Sequence, residues 1–215
     1  MSIRFSSHPR VMSSVRRLPF FFLVDTAAGG DYAEGFRTLF QVLLDRMRAN
    51  PYFLETAHLS VIKFTGEAKV VMPLVDVCSI DAGSLGIDSG SGLGHGFSLL
   101  ADTMRSNLVI TKQGVVGDWN PVVIAWVVAD PTDDYVKGLE SLESVKIGKR
   151  FAFVSKSVSK SVMNRLKDSF FKVVSEESSP DDGAAWLESI LDLGNVEADC
   201  FVDPPDEAAG RNGPG

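Results

Sequence analysis

Arg17-Leu-Pro-Phe-Phe-Phe-Leu-Val-Asp25-Thr-Ala-Ala-Gly29-Gly30 reads as a buried strand that ends on a carboxylate and opens into a glycine-rich turn before a helix. A parallel strand covered on both faces loses the polar alternation of a half-exposed one, and Phe20 to Val24 form such an unbroken apolar run. Asp25 then falls at the carboxyl end of the strand, where open α/β sheets place their ligand sites. In a first loop built for a divalent metal, hydroxyl side chains would follow two and four positions later. Those positions hold Ala27 and Gly29.

Outward from this strand, helical and extended patterns alternate. Asp31 is a plausible N-cap for a helix carrying Tyr32, Phe36, Leu39, Phe40, Leu43 and Met47, which Asn50-Pro51 stop. Strands at 57–64 and 68–74, separated by Thr65-Gly66-Glu67, form an antiparallel hairpin. A Gly/Ser/Asp-rich loop over 76–92 leads into a helix with Leu93, Phe97, Leu100 and Met104 on one face. Residues 107–120 read as a loop or small hairpin. Val122 to Val128 is a second continuous apolar strand, ending at Ala129-Asp130-Pro131-Thr132-Asp133-Asp134. Tyr135, Leu139 and Leu142 mark a helix, 150–154 a strand, Val158 to Leu166 a helix, 170–174 a strand, and Trp186 to Leu191 a last helix. This order predicts an α/β fold: a doubly wound, mainly parallel six-stranded sheet with one antiparallel edge strand and helices on both faces.

The 215 residues suit one domain, expected over 17–194 between a flexible leader (1–16) and an acidic, Pro/Gly-rich tail (195–215). Acids outnumber bases, 28 to 21, giving a net charge of −7, which argues against a nucleic-acid surface. Cys78 and Cys200 have no CxxC partner, so neither a zinc framework nor a disulfide scaffold is expected, and a reducing cytoplasm fits. Arg16-Arg17 before an apolar run imitates a secretion signal, but Leu18 to Val24 is too short for a membrane span and ends on a charge. The basic stretch from Lys146 to Lys167 reads as a solvated face, or a dock for an acidic partner. Trp126 is expected in the core and Trp186 in helix packing; Trp119 is either loop packing or an exposed anchor.

Several stretches carry a resemblance. Arg17-Leu-Pro, Leu54-Glu-Thr-Ala-His-Leu-Ser-Val-Ile-Lys-Phe64, Gly117-Asp-Trp-Asn-Pro121 and Pro131-Thr-Asp-Asp-Tyr-Val-Lys-Gly-Leu139 resemble von Willebrand factor A domain proteins of the TerY type. These belong to bacterial tellurite-resistance and stress-response systems, and the similarity spans residues 16–192. The resemblance implies a non-enzymatic scaffold or regulatory module, with a kinase and a phosphatase encoded alongside as partners.

It also implies a metal-ion-dependent adhesion site drawing an Asp-x-Ser-x-Ser motif, a Thr and an Asp from three loops. Asp25 survives, both serines of the motif are replaced, Ser91 stands in for the Thr, and the third-loop Thr-Asp-Gly is Val127-Val128-Ala129. Mg²⁺ demands near-octahedral oxygen coordination, which Asp25 and Ser91 alone do not supply. No metal or other cofactor is therefore expected, beyond weak Mg²⁺ or Mn²⁺. The loops are expected instead to bind a protein partner through Asp25, Thr26, Ser89, Ser91, Asp130, Asp133 and Asp134. The alternative is a metal-dependent binding domain with a remodelled site of Asp25, Ser91 and Asp130.

Two further patterns have bland readings. A hydrolase of Ser91, His95 and Asp25 lacks a nucleophile elbow, and His95 reads as a helix-surface residue. The glycines at 90, 92, 94 and 96 lack the Lys-Ser/Thr of a phosphate loop, and suit a tight turn with close approach of a helix to the sheet. Asp133 and Asp134 are equally explained as first-turn helix residues.

Overall fold

A computed structural model describes residues 16–26, 30–65, 67–81, 85, 93–112, 115–176, 178 and 180–192. Residues 1–15 of the expected leader, residues 193 and 194, the whole of the expected tail (195–215), and Ser89 and Ser91 lie outside them.

The apolar run forms β1 (Leu18–Asp25), buried along its whole length. It is followed by α1 (Gly30–Ala49), α2 (Pro51–Thr56), β2 (Ala57–Thr65), β3 (Glu67–Asp76), α3 (Leu93–Asn107), β4 (Val122–Val127), α4 (Tyr135–Glu143), β5 (Lys149–Val154), α5 (Lys160–Ser169), β6 (Lys172–Ser175) and α6 (Pro180–Leu191). The sheet order is β3-β2-β1-β4-β5-β6, and only β3 runs antiparallel to its neighbour. The doubly wound, six-stranded architecture expected from the order of elements is the one found.

Because successive side chains of a strand point to opposite faces, β1 feeds two cores. Phe20, Phe22 and Val24 pack with Phe36, Phe40 and Leu43 of α1 and Trp186 of α6. Phe21 and Leu23 pack with Phe97 and Leu100 of α3, Leu139 of α4 and Leu166 of α5. Phe22 meets Phe40 edge-on with ring centroids 5.0 Å apart. Each such phenylalanine contributes roughly 1.5–3 kcal/mol by leaving water. Trp126, buried as expected, stacks on Phe153 at 3.9 Å.

Asn50-Pro51 does end α1, but the same residues start α2: the Asn50 side chain accepts from the Tyr52 N–H, and Pro51 occupies the first turn. β3 extends to Asp76, further than its apolar pattern indicated. Where β2 and β3 slip register near Val61, the buried Ser60 hydroxyl donates to the Met72 carbonyl at 2.9 Å.

At the lower end of the sheet, ahead of β1, Arg17 grips Asp118 through two hydrogen bonds of 2.8 and 2.6 Å. Asp118 Oδ2 also accepts the Val109 N–H at 2.8 Å, which ties the 108–118 loop to the strand entrance. Within that loop, Lys112 and Val115 form an isolated antiparallel bridge, in keeping with the small hairpin expected there. Losing the Asp118 carboxylate strands a guanidinium and an amide together. Asp118→Ala is expected to cost about 1.5–3 kcal/mol, seen as a lower midpoint in urea denaturation with an unchanged slope.

Candidate functional site

β1 is flanked by β2 on one side and β4 on the other, and the chain leaves it first toward β2. The parallel strands present their carboxyl ends to one rim, and the change of direction between β1 and β4 opens the crevice where such sheets bind ligands. Asp25 stands at that point.

Its carboxylate is buried, with the residue 3% exposed, and Oδ2 accepts the N–H groups of Val128 and Ala129, each at 3.0 Å. These are the first amides past the end of β4, so Asp25 stitches the two central strands together where their ladder stops. The adjacent Thr26 is also 3% exposed, and its hydroxyl has no hydrogen-bond partner among the described residues.

The other acids of the rim share one pattern: each carboxylate meets the start of a helix. Asp130 Oδ1 accepts the N–H of Ser159, the residue that caps α5, at 2.6 Å. Asp134 caps α4 by accepting the Lys137 N–H. Asp133, just ahead of α4, turns to α3 instead, where Oδ1 accepts from Gly94 N–H at 2.8 Å and Oδ2 from His95 N–H at 2.9 Å. Unpaired N–H groups at a helix start carry partial positive charge, so a carboxylate there satisfies donors and dipole together. His95 is exposed, as its helix-surface reading holds, and Nδ1 donates to Asp133 Oδ2 at 2.7 Å.

Burial works against the ionised form of Asp133, but the Gly94 and His95 amides and the His95 ring outweigh it and hold its carboxyl below the usual value. With the folded value below the unfolded one, the group adds stability that is full above the unfolded value and is lost as pH falls through the lowered one. Asp133→Asn is therefore expected to melt below the parent protein at pH 7. The gap should close as pH drops below the ordinary carboxyl value of 3.8, measured by melting across a pH series.

A hydroxyl cluster completes the rim, and the sequence reading passed over it. The buried Ser155, next after β5, donates to the Tyr32 hydroxyl of α1 at 2.8 Å and accepts the Ser157 N–H. Ser157 Oγ donates to the Val128 carbonyl at 2.7 Å, and Glu176 Oε2, next after β6, accepts the Lys156 N–H. The signal was a Ser-Lys-Ser run directly after an apolar strand, which is the same placement that singled out Asp25.

The described donor set does not fit the metal site that the resemblance implies. Asp25 Oδ2 is occupied by two amides, Asp130 is committed to α5, and positions 127–129 offer no side-chain oxygen. Among the described residues there is no group of three or more His, Cys, Asp or Glu able to hold an ion. Ser91 lies outside them. No described helix is long and apolar enough to cross a membrane.

Neither a protein-family model nor a curated protein matches this sequence. Solved structures do match its fold. Proximal thread matrix protein 1 from the mussel byssus superposes with a TM-score of 0.61 at 14% identity, over 84% of this chain and 48% of that one. A form of the same protein with a zinc-occupied adhesion-site motif gives 0.58 at 15%, over 84% of this chain and 46% of that one. BatB from Bacteroides thetaiotaomicron gives 0.55 at 11%, over 84% and 99%. A von Willebrand factor type A protein from Catenulispora acidiphila gives 0.54 at 11%, over 81% and 42%. This chain thus spans less than half of the byssus and Catenulispora chains and nearly all of BatB. Identities this low establish a shared fold.

Proposed function

Starting from a von Willebrand factor A fold, we propose that this protein is a non-enzymatic interaction module that binds a protein partner through its upper rim without needing a bridging metal. The observation that carries the reading is the commitment of the rim carboxylates to backbone amides at strand and helix ends. Carboxylates placed in this way fix the loops in advance and leave a preformed polar surface, which reduces the ordering cost of association. The exposed side chains of Asp130, Thr132, Asp134 and His95 decorate it. The TerY resemblance of the sequence supports a scaffold or regulatory role in a bacterial stress-response or tellurite-resistance system, in the cytoplasm, with the kinase and phosphatase encoded nearby as partners.

Two measurements test this. Saturating Mg²⁺ or Mn²⁺ is expected to leave the melting temperature unchanged. A bound ion at a hundredfold excess over Kd would add about 2.7 kcal/mol. At about 2–4 °C per kcal/mol this is a rise of roughly 5–10 °C, which would favour the remodelled site of Asp25, Ser91 and Asp130. Asp31, expected as the N-cap of α1, lies inside its first turn, where the chain leaves β1 at the rim. For the partner, Asp31→Arg and Thr132→Arg should weaken capture of the kinase or phosphatase, while Lys112→Glu at the far end should not. Equal capture by all three variants would move the contact surface elsewhere.

A further inference from the structure

The end of the sheet away from the rim holds a cavity of about 410 Å³ that the rim function does not use. Its walls are apolar: Met104, Leu108, Val109, Ile110, Trp119 and Val145 line it, between the C-terminal ends of α3 and α4 and the loop that leads to β4. Its volume lies within the range of small-ligand sites, roughly 300–1,000 Å³. Ile110 is 70% exposed and Val109 42%, a large apolar surface to leave in water.

The charged lining is one-sided. Asp118 is the lining carboxylate, and Arg17 and the Val109 N–H already engage it. Arg105 pairs with the exposed Asp102. Arg16 lies over the Trp119 ring at 3.7 Å and donates to the Gly117 carbonyl, with no carboxylate partner among the described residues. Lys146 is exposed and likewise makes no ion pair among them. Two cations without a carboxylate partner among the described residues thus border an apolar hollow in a chain whose net charge is −7.

We propose that this cavity binds a small amphipathic carboxylate, with its apolar chain against Leu108, Trp119 and Val145 and its anionic head between Arg16 and Lys146. A neutral apolar ligand would leave both cations unused, and a small inorganic anion would leave the walls wet. A concave hollow of this volume, rather than a flat face, favours a free small acid over a lipid bilayer or a protein face. The site is independent of the rim, and either assignment can fail alone.

Octanoate, titrated calorimetrically into the full-length protein below its micellar range, is expected to bind saturably at one site and raise the melting temperature. Octanol should bind at least tenfold more weakly. Lys146→Glu, at an exposed side chain that makes no ion pair among the described residues, should melt like the parent protein yet lose octanoate affinity by tenfold or more. Val145→Trp, which fills the hollow, should abolish binding. The proposal is overturned by absence of saturable heat at millimolar octanoate, or by equal affinity for octanol. Unchanged affinity in a folded Lys146→Glu protein would also overturn it. So would co-sedimentation with phosphatidylglycerol vesicles by a protein that ignores octanoate, which would make the patch a membrane contact.

Discussion

Gly138→Ala should lower the melting temperature by roughly 4–8 °C, the largest single loss expected from so small a change. A Cβ at position 138 would lie 2.2 Å from the Gly94 carbonyl oxygen and 2.8 Å from the Gly94 Cα and carbonyl carbon. All three are backbone atoms, so no side chain can swing aside and α3 must move from α4. Overpacking costs typically about 1–3 kcal/mol, and a backbone collision sits at the upper end. Alanine's better helix propensity returns only about 1 kcal/mol. At about 2–4 °C per kcal/mol, a net loss of about 2 kcal/mol gives the stated range. The reciprocal Gly94→Ala meets the Asp134 carbonyl oxygen at 2.6 Å and should behave alike. The two changes push on the same crossing, so the double variant should lose less than the sum. Gly183→Ala on α6 is the control, with open space around its Cβ and an expected effect near zero or slightly stabilising. A Gly138→Ala protein that melts with the parent would mean that the helices cross less closely than described.

Asp25→Ala is expected to be the other severe change, because it leaves the buried Val128 amide and the part-buried Ala129 amide without their acceptor. Each stranded donor costs about 1–3 kcal/mol, so a loss of about 2–6 kcal/mol is expected in chemical denaturation. Asp25→Asn keeps an acceptor oxygen and should recover a large part of that loss. The comparison separates two roles for one residue. If Asp25 served chiefly to hold an ion, removing its charge would damage metal-dependent binding and leave metal-free stability nearly intact. The expectation is the reverse, with stability falling in metal-free buffer and partner capture falling only as far as the rim loosens.

How much of this the sequence discloses depends on how far apart the interacting residues lie. The three phenylalanines of β1, unbroken by a polar residue, announce a strand covered on both faces, and the structure divides them between two cores. The glycines in the first turn of α3, Gly94 and Gly96, were harder to place. Gly96 does approach the sheet, its Cβ position 3.0 Å from Leu23 Cδ1 and 3.1 Å from a Phe64 ring atom. Gly94 answers instead to α4, a requirement set by a glycine distant in sequence and invisible to local pattern. The rim acids were found as candidates by their position after strands. For Asp134 the helix-start reading holds, since it caps α4. The engagement of the other two was not legible, because Asp130 caps a helix that begins only after a further strand, and Asp133 caps the helix before its own. The hydroxyls of Ser155 and Ser157 went unremarked because serine after a strand is ordinary until Tyr32 is brought beside it. α2 was hidden by an Asn-Pro pair that serves as a stop and a start at once.

The Ser60 bond to Met72 has a consequence for how copies of this chain meet. Because the Met72 carbonyl points inward to β2, the trans peptide sends the Pro73 nitrogen outward, along the open side of the sheet. That nitrogen carries no hydrogen, so an incoming strand would find a missing rung midway along the longer border of the described sheet. The opposite border, β6, is four residues long. Neither offers a template for fibril growth, and a concentrated solution of the folded protein should stay free of thioflavin-positive aggregates.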